Sequence, residues 1–286
     1  MSKFAFQQVD VFTQQPLKGN PLAVVVGADG LSDSAMASLG NWTNLSETTF
    51  LLTPSVPAAG YRVRIFTPER ELPFAGHPTL GSCQVWLNRG GAAKQPYIVQ
   101  ECAAGLIRIK RDGNRLAFAA PPLRRTGPVE PDLLAKIADG LRIDPKTIKA
   151  SHWVDNGPGW VAVMLGGRAE VLALKPDYPA LLGIHLGVVG PWTASDGEGA
   201  NFEVRAFIPS RASEDPVTGS LNAGLAQWLI GQGLAPNAYI ASQGTALGRA
   251  GRVHVERDGE DIWIGGNTVT VVDGTIELTD VSCSAV

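Results

Sequence analysis

Two stretches of the chain alternate between apolar and polar positions and predict β-strands. They cover residues 61–67 and 202–208, and each carries β-branched or aromatic side chains on one face. In both places a turn with proline and glycine follows, and then an apolar segment of helical length, at 78–87 and at 220–230. Glycines after both segments are typical of helix ends. Because these helices are apolar over much of their circumference, we predict that both are buried.

The recurrence of this series predicts an internal duplication. The matching segments, in chain order, are YRVRIFTP at 61–68 with FEVRAFIP at 202–209, ELPFAGHPTLG at 71–81 with EDPVTGSLNAG at 214–224, and IRIKRDG at 107–113 with VHVERDG at 253–259. The last pair ends in Asp-Gly, which is a strong signal for a hairpin turn. Three matches in the same order are hard to attribute to chance. The pattern therefore predicts a strongly curved sheet wrapped around a central helix, formed twice.

The domain boundary is predicted in the proline-rich connection over residues 121–145, which holds one short helix. We assign residues 1–118 together with about 275–286 to an N-terminal lobe, and residues 119–274 to a C-terminal lobe. The active site is expected in a cleft between the two lobes. The length of 286 residues agrees with two domains, since domains usually have roughly 100–200 residues.

Composition and charge exclude several classes of protein. With 44% hydrophobic and 18% charged residues, the chain is neither disordered nor fibrous. A net charge of −3 without a long basic run argues against a nucleic-acid partner. No stretch of about 18 apolar residues and no signal-peptide pattern are present, so we expect no membrane partner and a cytoplasmic location. The three cysteines are widely spaced and fit neither a disulfide framework nor a zinc site.

The turns before the two apolar helices carry the candidate chemistry. Gly76 and Gly219 stand where these helices are expected to begin. The first backbone N–H groups of a helix have no partner within the helix, and they carry partial positive charge. Since glycine lets a ligand approach closely, each helix start is a candidate site for a carboxylate or phosphate.

Several side chains near these helix starts are candidates for acid–base chemistry, and each also has a simpler explanation. His77 is also compatible with an ordinary turn histidine, and Asp215 and Ser220 with helix-capping groups. Glu47 stands at the entry to an apolar strand, where a solvated glutamate is common. Together, however, these groups suit proton abstraction next to a carboxylate of the substrate. Asn20 lies in a predicted turn and is a weaker candidate for ligand contact.

Four segments resemble the PhzF-like family of phenazine-biosynthesis isomerases, which belongs to the group of diaminopimelate epimerase-like proteins. The segments are VDVF at 9–12 with GNPLAVV at 19–25, NLSETTF at 44–50, FAGHPTLG at 74–81 and EDPVTGS at 214–220. The resemblance runs through nearly the whole chain. It implies an α+β fold with two pseudo-symmetric lobes, each a barrel-like and mostly antiparallel sheet around a central helix.

The resemblance also implies an activity. The best-known member isomerises trans-2,3-dihydro-3-hydroxyanthranilate without a cofactor, so we expect a cofactor-independent isomerase of a small, cyclic carboxylate, with no metal and acting as a homodimer. Glu47 is then the acid/base that moves the proton, assisted by His77 and Asp215. The residues expected to hold the substrate are Ser46, Gly76, Gly219 and Ser220, with Asn20 as a further candidate.

The chain departs from the family and its relatives in two places. Related racemases use two thiols, one beside each helix start, but residues 72–77 and 214–220 contain no cysteine. Cys83 falls inside the apolar helix, where we expect it in the core. The sequence GRAG at 248–251 stands where family members often have GRPS. Two alternatives stay open: a carboxylate-based epimerase or racemase of a small amino or hydroxy acid, and a non-catalytic small-molecule-binding protein.

Overall fold

The computed structural model of the chain describes residues 2–93 and 96–279, which divide into two compact units. The first unit comprises the described residues up to Ala119 and those from Gly265 onward, and the second comprises Ala120–Ile264. The sequence prediction placed the return to the first unit later, at about residue 275. The chain returns earlier because its last strand is continuous over Asp261–Leu278 and pairs with the first strand from Thr268 onward.

The first unit is a closed barrel. Its elements are β1 (Ser2–Val11), β2 (Asn20–Val26), α1 (Asp33–Thr43), β3 (Thr48–Leu52), β4 (Tyr61–Phe66), β5 (Glu71–Leu72), α2 (Gly76–Asn88), β6 (Ile98–Cys102), β7 (Gly105–Asp112), β8 (Arg115–Ala119) and, after the second unit in sequence, β17 (Asp261–Leu278). The strands β1, β2, β3, β4, β6, β7, β8 and β17 pair in that order, and β17 pairs again with β1. The pairs β2–β3 and β4–β6 are parallel, so the barrel mixes both kinds of pairing.

The helix α2 is the central helix of this barrel. It packs against β1, β2, β3, β4 and β8, and its residues from Gly76 to Cys83 are all buried. This confirms the prediction of a buried helix, which begins two residues before the predicted start at 78. A Cβ atom on Gly81 would lie 2.5 Å from Leu22 Cδ2, so a larger residue here would force the Leu22 side chain to move away from α2.

The helix α1 was not predicted from the sequence. Ser32 caps it by accepting a hydrogen bond from the backbone N–H of Ala35. Met36 and Leu39 are buried against strand residues that include Phe50. The N-cap serine and the spacing of these apolar residues are the signals that could have identified this helix.

The second unit repeats the same kinds of element. They are β9 (Arg125–Gly127), α3 (Pro131–Leu141), β10 (Ala150–Asp155), β11 (Trp160–Met164), α4 (Arg168–Ala173), β12 (His185–Pro191), β13 (Phe202–Ile208), β14 (Ser213–Asp215), α5 (Gly219–Gly231), β15 (Ala238–Gln243) and β16 (Gly251–Asp258). The strands β9, β10, β11, β12, β13, β15 and β16 pair in that order, with β11–β12 and β13–β15 parallel. The helix predicted within the connection at 121–145 is α3.

The helix α5 is buried in the second unit, as predicted. It packs against β10, β11 and β16, and its apolar residues from Leu221 to Ile230 are buried. A Cβ atom on Gly224 would collide with the backbone carbonyl of Val154, so this glycine allows close packing against β10. The short helix α4, which no sequence pattern predicted, contributes Val171 to an apolar cluster that it shares with α3.

A bidentate ion pair joins β4 to β5 in the first unit, and a similar pair joins β13 to β14 in the second unit. Arg64 donates from Nε and Nη2 to the two carboxylate oxygens of Glu71, both at 2.7 Å. In the second unit, Arg205 binds Glu214 in the same way, and its Nη2 lies 2.7 Å from Oε2. The Arg205 pair is the more deeply buried, with side chains 8% and 3% exposed against 24% and 35% for the Arg64 pair. Arg205 Nη1 also donates to the carbonyl of Leu174, at the end of α4.

The cysteines within the described ranges are buried. Cys83 lies inside α2, which confirms its expected place in the core, and burial raises its pKa to about 12. Cys102 ends β6 and its pKa is also raised by burial. Cys283 lies outside the described residues. Among the helices that the structure describes, none is both long and apolar enough to cross a membrane.

Candidate active site

Three of the predicted site residues lie together in the first unit. Asn20 is the first residue of β2 and is fully buried, Glu47 immediately precedes β3, and His77 is the second residue of α2. The parallel strands β2 and β3 run side by side from this end, with Ala23 opposite Thr48. Since α2 packs against both strands, its first turn meets the two strand starts.

These residues form a chain of polar contacts. The Asn20 amide Nδ2 lies 3.4 Å from His77 Nδ1, and His77 Nε2 lies 3.3 Å from Glu47 Oε2. Because an amide nitrogen only donates, Nδ1 accepts and the ring proton is on Nε2, where it faces the carboxylate. Asn20 therefore fixes the tautomer and the orientation of the imidazole.

Burial keeps the His77 ring neutral. Its side chain is 5% exposed, and desolvation lowers its pKa from 6.5 to about 3. A neutral imidazole therefore places no full positive charge beside Glu47. With its side chain only 15% exposed, Glu47 is not the solvated glutamate of a strand edge. Glu47 is the acidic member of this contact chain, which makes it the candidate acid/base of the first unit.

The lowered pKa of His77 predicts a specific pH dependence of stability. Between pH 6.5 and about 3 the histidine binds a proton in the unfolded chain but not in the folded one, so acid in this range favours unfolding. Relative to a His77→Gln variant, the wild-type protein should lose about 2 kcal/mol of unfolding free energy from pH 7 to pH 5. Urea unfolding at several pH values measures this. Equal slopes for both proteins would contradict the buried, neutral state of the ring.

Ser46 and Gly76 complete the first unit's set of predicted residues. Ser46 precedes Glu47 and is partly exposed. Gly76 is buried and is the first residue of α2. The residue before it, Ala75, is the N-cap residue, and its side chain has no polar group that could cap the helix. This helix start has the character of an anion site, with backbone N–H groups at its end.

The second unit places Asp215 at the end of a hydrogen-bonded relay. Thr218 Oγ1 donates to Asp215 Oδ2 at 2.6 Å, and Gln243 Nε2 donates to the same hydroxyl at 2.9 Å. Gln243 Oε1 accepts from the Thr218 backbone N–H at 3.0 Å and from the Asn222 amide at 2.8 Å. Because Gln243 Oε1 is an acceptor, its Nε2 must donate, so the relay has one direction and ends on the Asp215 carboxylate.

Ser220 lies one residue after Gly219, which begins α5. The Trp160 indole Nε1 donates to Ser220 Oγ at 3.0 Å, and the Asn156 amide donates to the Ser220 carbonyl at 2.8 Å. An indole N–H can only donate, so the Ser220 oxygen is the acceptor in this bond and one of its lone pairs faces Trp160. The Ser220 hydroxyl proton is then left to donate elsewhere.

Four residues that contact the predicted residues of the second unit were missed in the sequence: Asn156, Trp160, Thr218 and Gln243. Thr218 stands inside the repeated EDPVTGS segment and is the residue before α5, so its position was the available signal. Gln243 and Trp160 lie 25 and 60 residues from their partners, and no local pattern marks them.

The Gln243 relay predicts a loss of stability. Gln243→Met keeps the length of the side chain but leaves the Thr218 N–H without its acceptor and the Asn222 amide with the Thr218 carbonyl alone. Buried groups that lose a partner cost about 1–3 kcal/mol, so we expect a loss of about 2–3 kcal/mol in urea unfolding. Gln84→Met is the matched control, since the Gln84 amide bonds Asn88 at an exposed position of α2. A Gln243 variant as stable as this control would contradict the relay.

No group of three or more histidine, cysteine or acidic side chains in residues 2–93 and 96–279 is arranged to hold a metal ion. The chemistry that the described groups offer is acid–base chemistry at Glu47 and Asp215 and anion binding at two helix starts.

The chain matches the family model described as phenazine biosynthesis-like protein (PhzC-PhzF) over residues 9–274. It is 33% identical to the Schizosaccharomyces pombe protein named antisense-enhancing sequence 1, across 96% of this chain and 99% of that protein. It is 32% identical to a Pseudomonas chlororaphis protein named trans-2,3-dihydro-3-hydroxyanthranilate isomerase, across 94% of this chain and 98% of that protein.

Among solved structures, the fold is similar to that of a PhzF-family phenazine biosynthesis protein from Enterococcus faecalis. The TM-score is 0.80 at 26% sequence identity, with 97% of this chain and 100% of the other covered. The likeness identifies the fold as α+β and barrel-like.

Proposed function

Because the chain belongs to the PhzC-PhzF family and is an isomerase, we propose that it moves a proton within a small, cyclic carboxylate without a cofactor. Relatives at 31–32% identity are named trans-2,3-dihydro-3-hydroxyanthranilate isomerase, so this compound is the first substrate to test. The contact chain Asn20–His77–Glu47 carries the proposal.

In the proposed mechanism, Glu47 is the acid/base. Its carboxylate takes a proton from one ring carbon, and the electron pair moves into the adjacent double bond system and the substrate carboxylate. The same carboxylic acid then returns the proton to another carbon, so that no atoms are gained or lost. His77, held by Asn20, places its Nε2 3.3 Å from Glu47 Oε2 and limits the positions that the Glu47 side chain can take.

The negative charge that develops on the substrate needs stabilisation. We propose that backbone N–H groups at the starts of α2 and α5, including those of Gly76 and Gly219, hold the substrate carboxylate. Ser220 suits the same task, because its oxygen accepts from Trp160 and its proton remains to donate. Asp215 assists as the second carboxylate, and Ser46 contributes to binding beside Glu47. It is part of this proposal that the residues at the start of α2 and those at the start of α5 act on the same substrate molecule.

The proposal includes descent of both units from one duplicated ancestor. Each unit pairs its strands in the same sequence of parallel and antiparallel neighbours. The arginine and glutamate that recur in the sequence form the same bidentate pair in each unit. Gly81 and Gly224, which also correspond, both allow a central helix to pack closely against a strand.

Proton NMR in D₂O tests the proposed reaction on trans-2,3-dihydro-3-hydroxyanthranilate. An isomerase gives new signals from the shifted double bond, and deuterium appears on the carbon that receives the proton to the extent that the protonated Glu47 exchanges with D₂O before it returns the proton. Deuterium at a stereocentre without movement of the double bond would instead indicate an epimerase. Ligand-induced thermal stabilisation without any exchange would indicate a binding protein.

If this substrate is inert, a thermal-shift screen of small cyclic carboxylates identifies others, since a specific ligand stabilises the folded state. Turnover that survives exhaustive treatment with a chelator and dialysis would agree with cofactor independence. The homodimer and the cytoplasmic location stay predictions, and light scattering after size-exclusion chromatography measures the first.

A further inference from the structure

A buried aspartate near the end of β1 has no part in the proposed mechanism. Asp10 is 2% exposed, and its Oδ2 accepts a hydrogen bond from the backbone N–H of Gly19 at 2.9 Å. Its Oδ1 is also buried and has no hydrogen-bond partner among the described residues. Burial of a carboxylate with so few partners is unfavourable, so stability alone does not explain Asp10.

The contact from Asp10 fixes the connection between β1 and β2. Two non-glycine residues of this connection, Phe12 and Leu17, have left-handed backbone conformations, with φ of 65° and 67°. Such conformations are unfavourable and persist where the surrounding contacts impose them. Gly19 ends the connection, and a Cβ atom on it would lie 2.2 Å from the carbonyl oxygen of Val11. The chain therefore returns tightly against the end of β1.

This return determines where Asn20 enters β2. Asn20 follows Gly19 directly and is fully buried. The next residue, Pro21, is opposite Asp10 in the sheet and has no backbone N–H to donate to β1. The bond from the Gly19 N–H to Asp10 therefore helps to hold the backbone just before Asn20, whose amide lies 3.4 Å from His77 Nδ1.

The second unit contains the same arrangement. Asp155 is the last residue of β10, and its Oδ1 accepts from the backbone N–H groups of Gly157 and Gly159, both at 2.7 Å. Trp160 follows Gly159 directly and begins β11. Its indole donates to Ser220 Oγ at 3.0 Å.

The order of contacts is the same in both units. An aspartate at or near the end of one strand binds the N–H of a glycine, and the next residue begins the following strand. The side chain of that residue contacts the second residue of the central helix, which is His77 in α2 and Ser220 in α5. These two helix residues also correspond in the repeated segments 71–81 and 214–224. The aspartate and glycine are common to both units although the side chains that they place differ.

We propose that Asp10 and Asp155 are positioning residues. Each fixes the backbone just before the first residue of the next strand, and that residue orients the second residue of the central helix. In the first unit the residue so oriented is His77, and in the second it is Ser220. The effect on the reaction rests on the proposed function, in which His77 lies beside Glu47 and Ser220 binds the substrate carboxylate.

NMR of the free protein tests the placement of His77 without any substrate. A neutral imidazole has one protonated and one unprotonated nitrogen, which give separate ¹⁵N signals, and in the wild-type protein Nδ1 should be the unprotonated one. Asp10→Ala should move both signals towards the average of the two tautomers, because Asn20 is no longer held beside Nδ1. Asp10→Asn keeps an acceptor oxygen in the same place and should retain the wild-type signals.

The Trp160 indole tests the second unit in the same way. Its Nε1–H signal, assigned with Trp160→Phe, should shift in Asp155→Ala and exchange faster with solvent. Asp155→Asn keeps the oxygen that accepts from both glycines and should retain the wild-type signal. Since Asp155 is only partly buried, this measurement decides the proposal even if Asp10→Ala does not fold.

Two other aspartates that bind a backbone N–H are matched controls. Asp29 accepts such a bond at 2.9 Å in the first unit, and Asp144 accepts one at 2.9 Å in the second. Asp29→Ala and Asp144→Ala should leave the histidine and indole signals unchanged. If Asp10→Ala or Asp155→Ala folds and behaves like its control, the shared positioning role is wrong.

Kinetics with an identified substrate separates this proposal from the proposed function. Asp10→Ala should lower kcat by about 10–100-fold, because a small misplacement of a reacting group is costly. Asp155→Ala should raise KM about fivefold, the effect of one hydrogen bond. Changed NMR signals with unchanged kinetics would support the positioning and would contradict the parts that the proposed function gives to His77 and Ser220.

Discussion

Glu47→Gln is expected to lower the turnover of an identified substrate by about 10²–10⁴-fold, the usual contribution of a general acid/base. The amide keeps the shape of the side chain and its place beside His77, but it cannot accept the substrate proton. Binding should therefore survive, and thermal stabilisation by the substrate should be retained. The loss should fall on kcat rather than on KM.

Glu69→Gln is the matched control for this prediction. Glu69 is an exposed glutamate in the turn between β4 and β5, and its replacement should leave turnover unchanged. Steady-state kinetics and deuterium exchange of the substrate in D₂O measure both variants. If Glu47→Gln turns over as fast as the wild-type enzyme, Glu47 is not the proton carrier.

Arg205→Met is expected to destabilise the protein by about 3–5 kcal/mol, because removal of one partner from a buried ion pair leaves the other charge uncompensated. Glu214, only 3% exposed, would lose its bidentate partner, and the carbonyls of Val171 and Leu174 would each lose one hydrogen bond. Methionine fills much of the same space, so the loss reports mainly on polar contacts.

Arg64→Met provides an internal comparison. Arg64 makes the same bidentate contact to Glu71, but the glutamate side chain is 35% exposed. Water can solvate the groups left behind, and exposed pairs contribute about 0–1 kcal/mol. Urea unfolding of both variants measures the difference. Equal destabilisation would mean that burial does not distinguish the two pairs.

The sequence predicted the parts of the fold that have strong local patterns. Both central helices are apolar nearly all round, and the strand at Phe202–Ile208 was predicted with its observed bounds. The predicted hairpin at Asp112–Gly113 is present, with Asp112 opposite Arg115 and Gly113 in a left-handed conformation with φ of 58°. These features depend on neighbours in the chain.

Features that depend on distant residues were not predictable in the same way. The pairing of β1 with β17 joins Ser2 to Leu278, and no local pattern indicates that partner. The contacts that fix the site side chains are also distant, since Asn20 and His77 are 57 residues apart. The sequence could place Glu47, His77 and Asp215 near helix and strand starts. It could not show which buried amides orient them.

The continuous strand β17 also has a consequence for the order of folding during synthesis. The first unit lacks one of its eight barrel strands until residues 268–278 have been made, because these residues pair with β1. By then every residue of the second unit has left the ribosome's catalytic centre. The usual order, in which the N-terminal domain folds first, cannot be completed here. Until β17 arrives, the edge of β1 is exposed to pairing with other chains, so the nascent protein is prone to aggregation until residues 268–278 have been made.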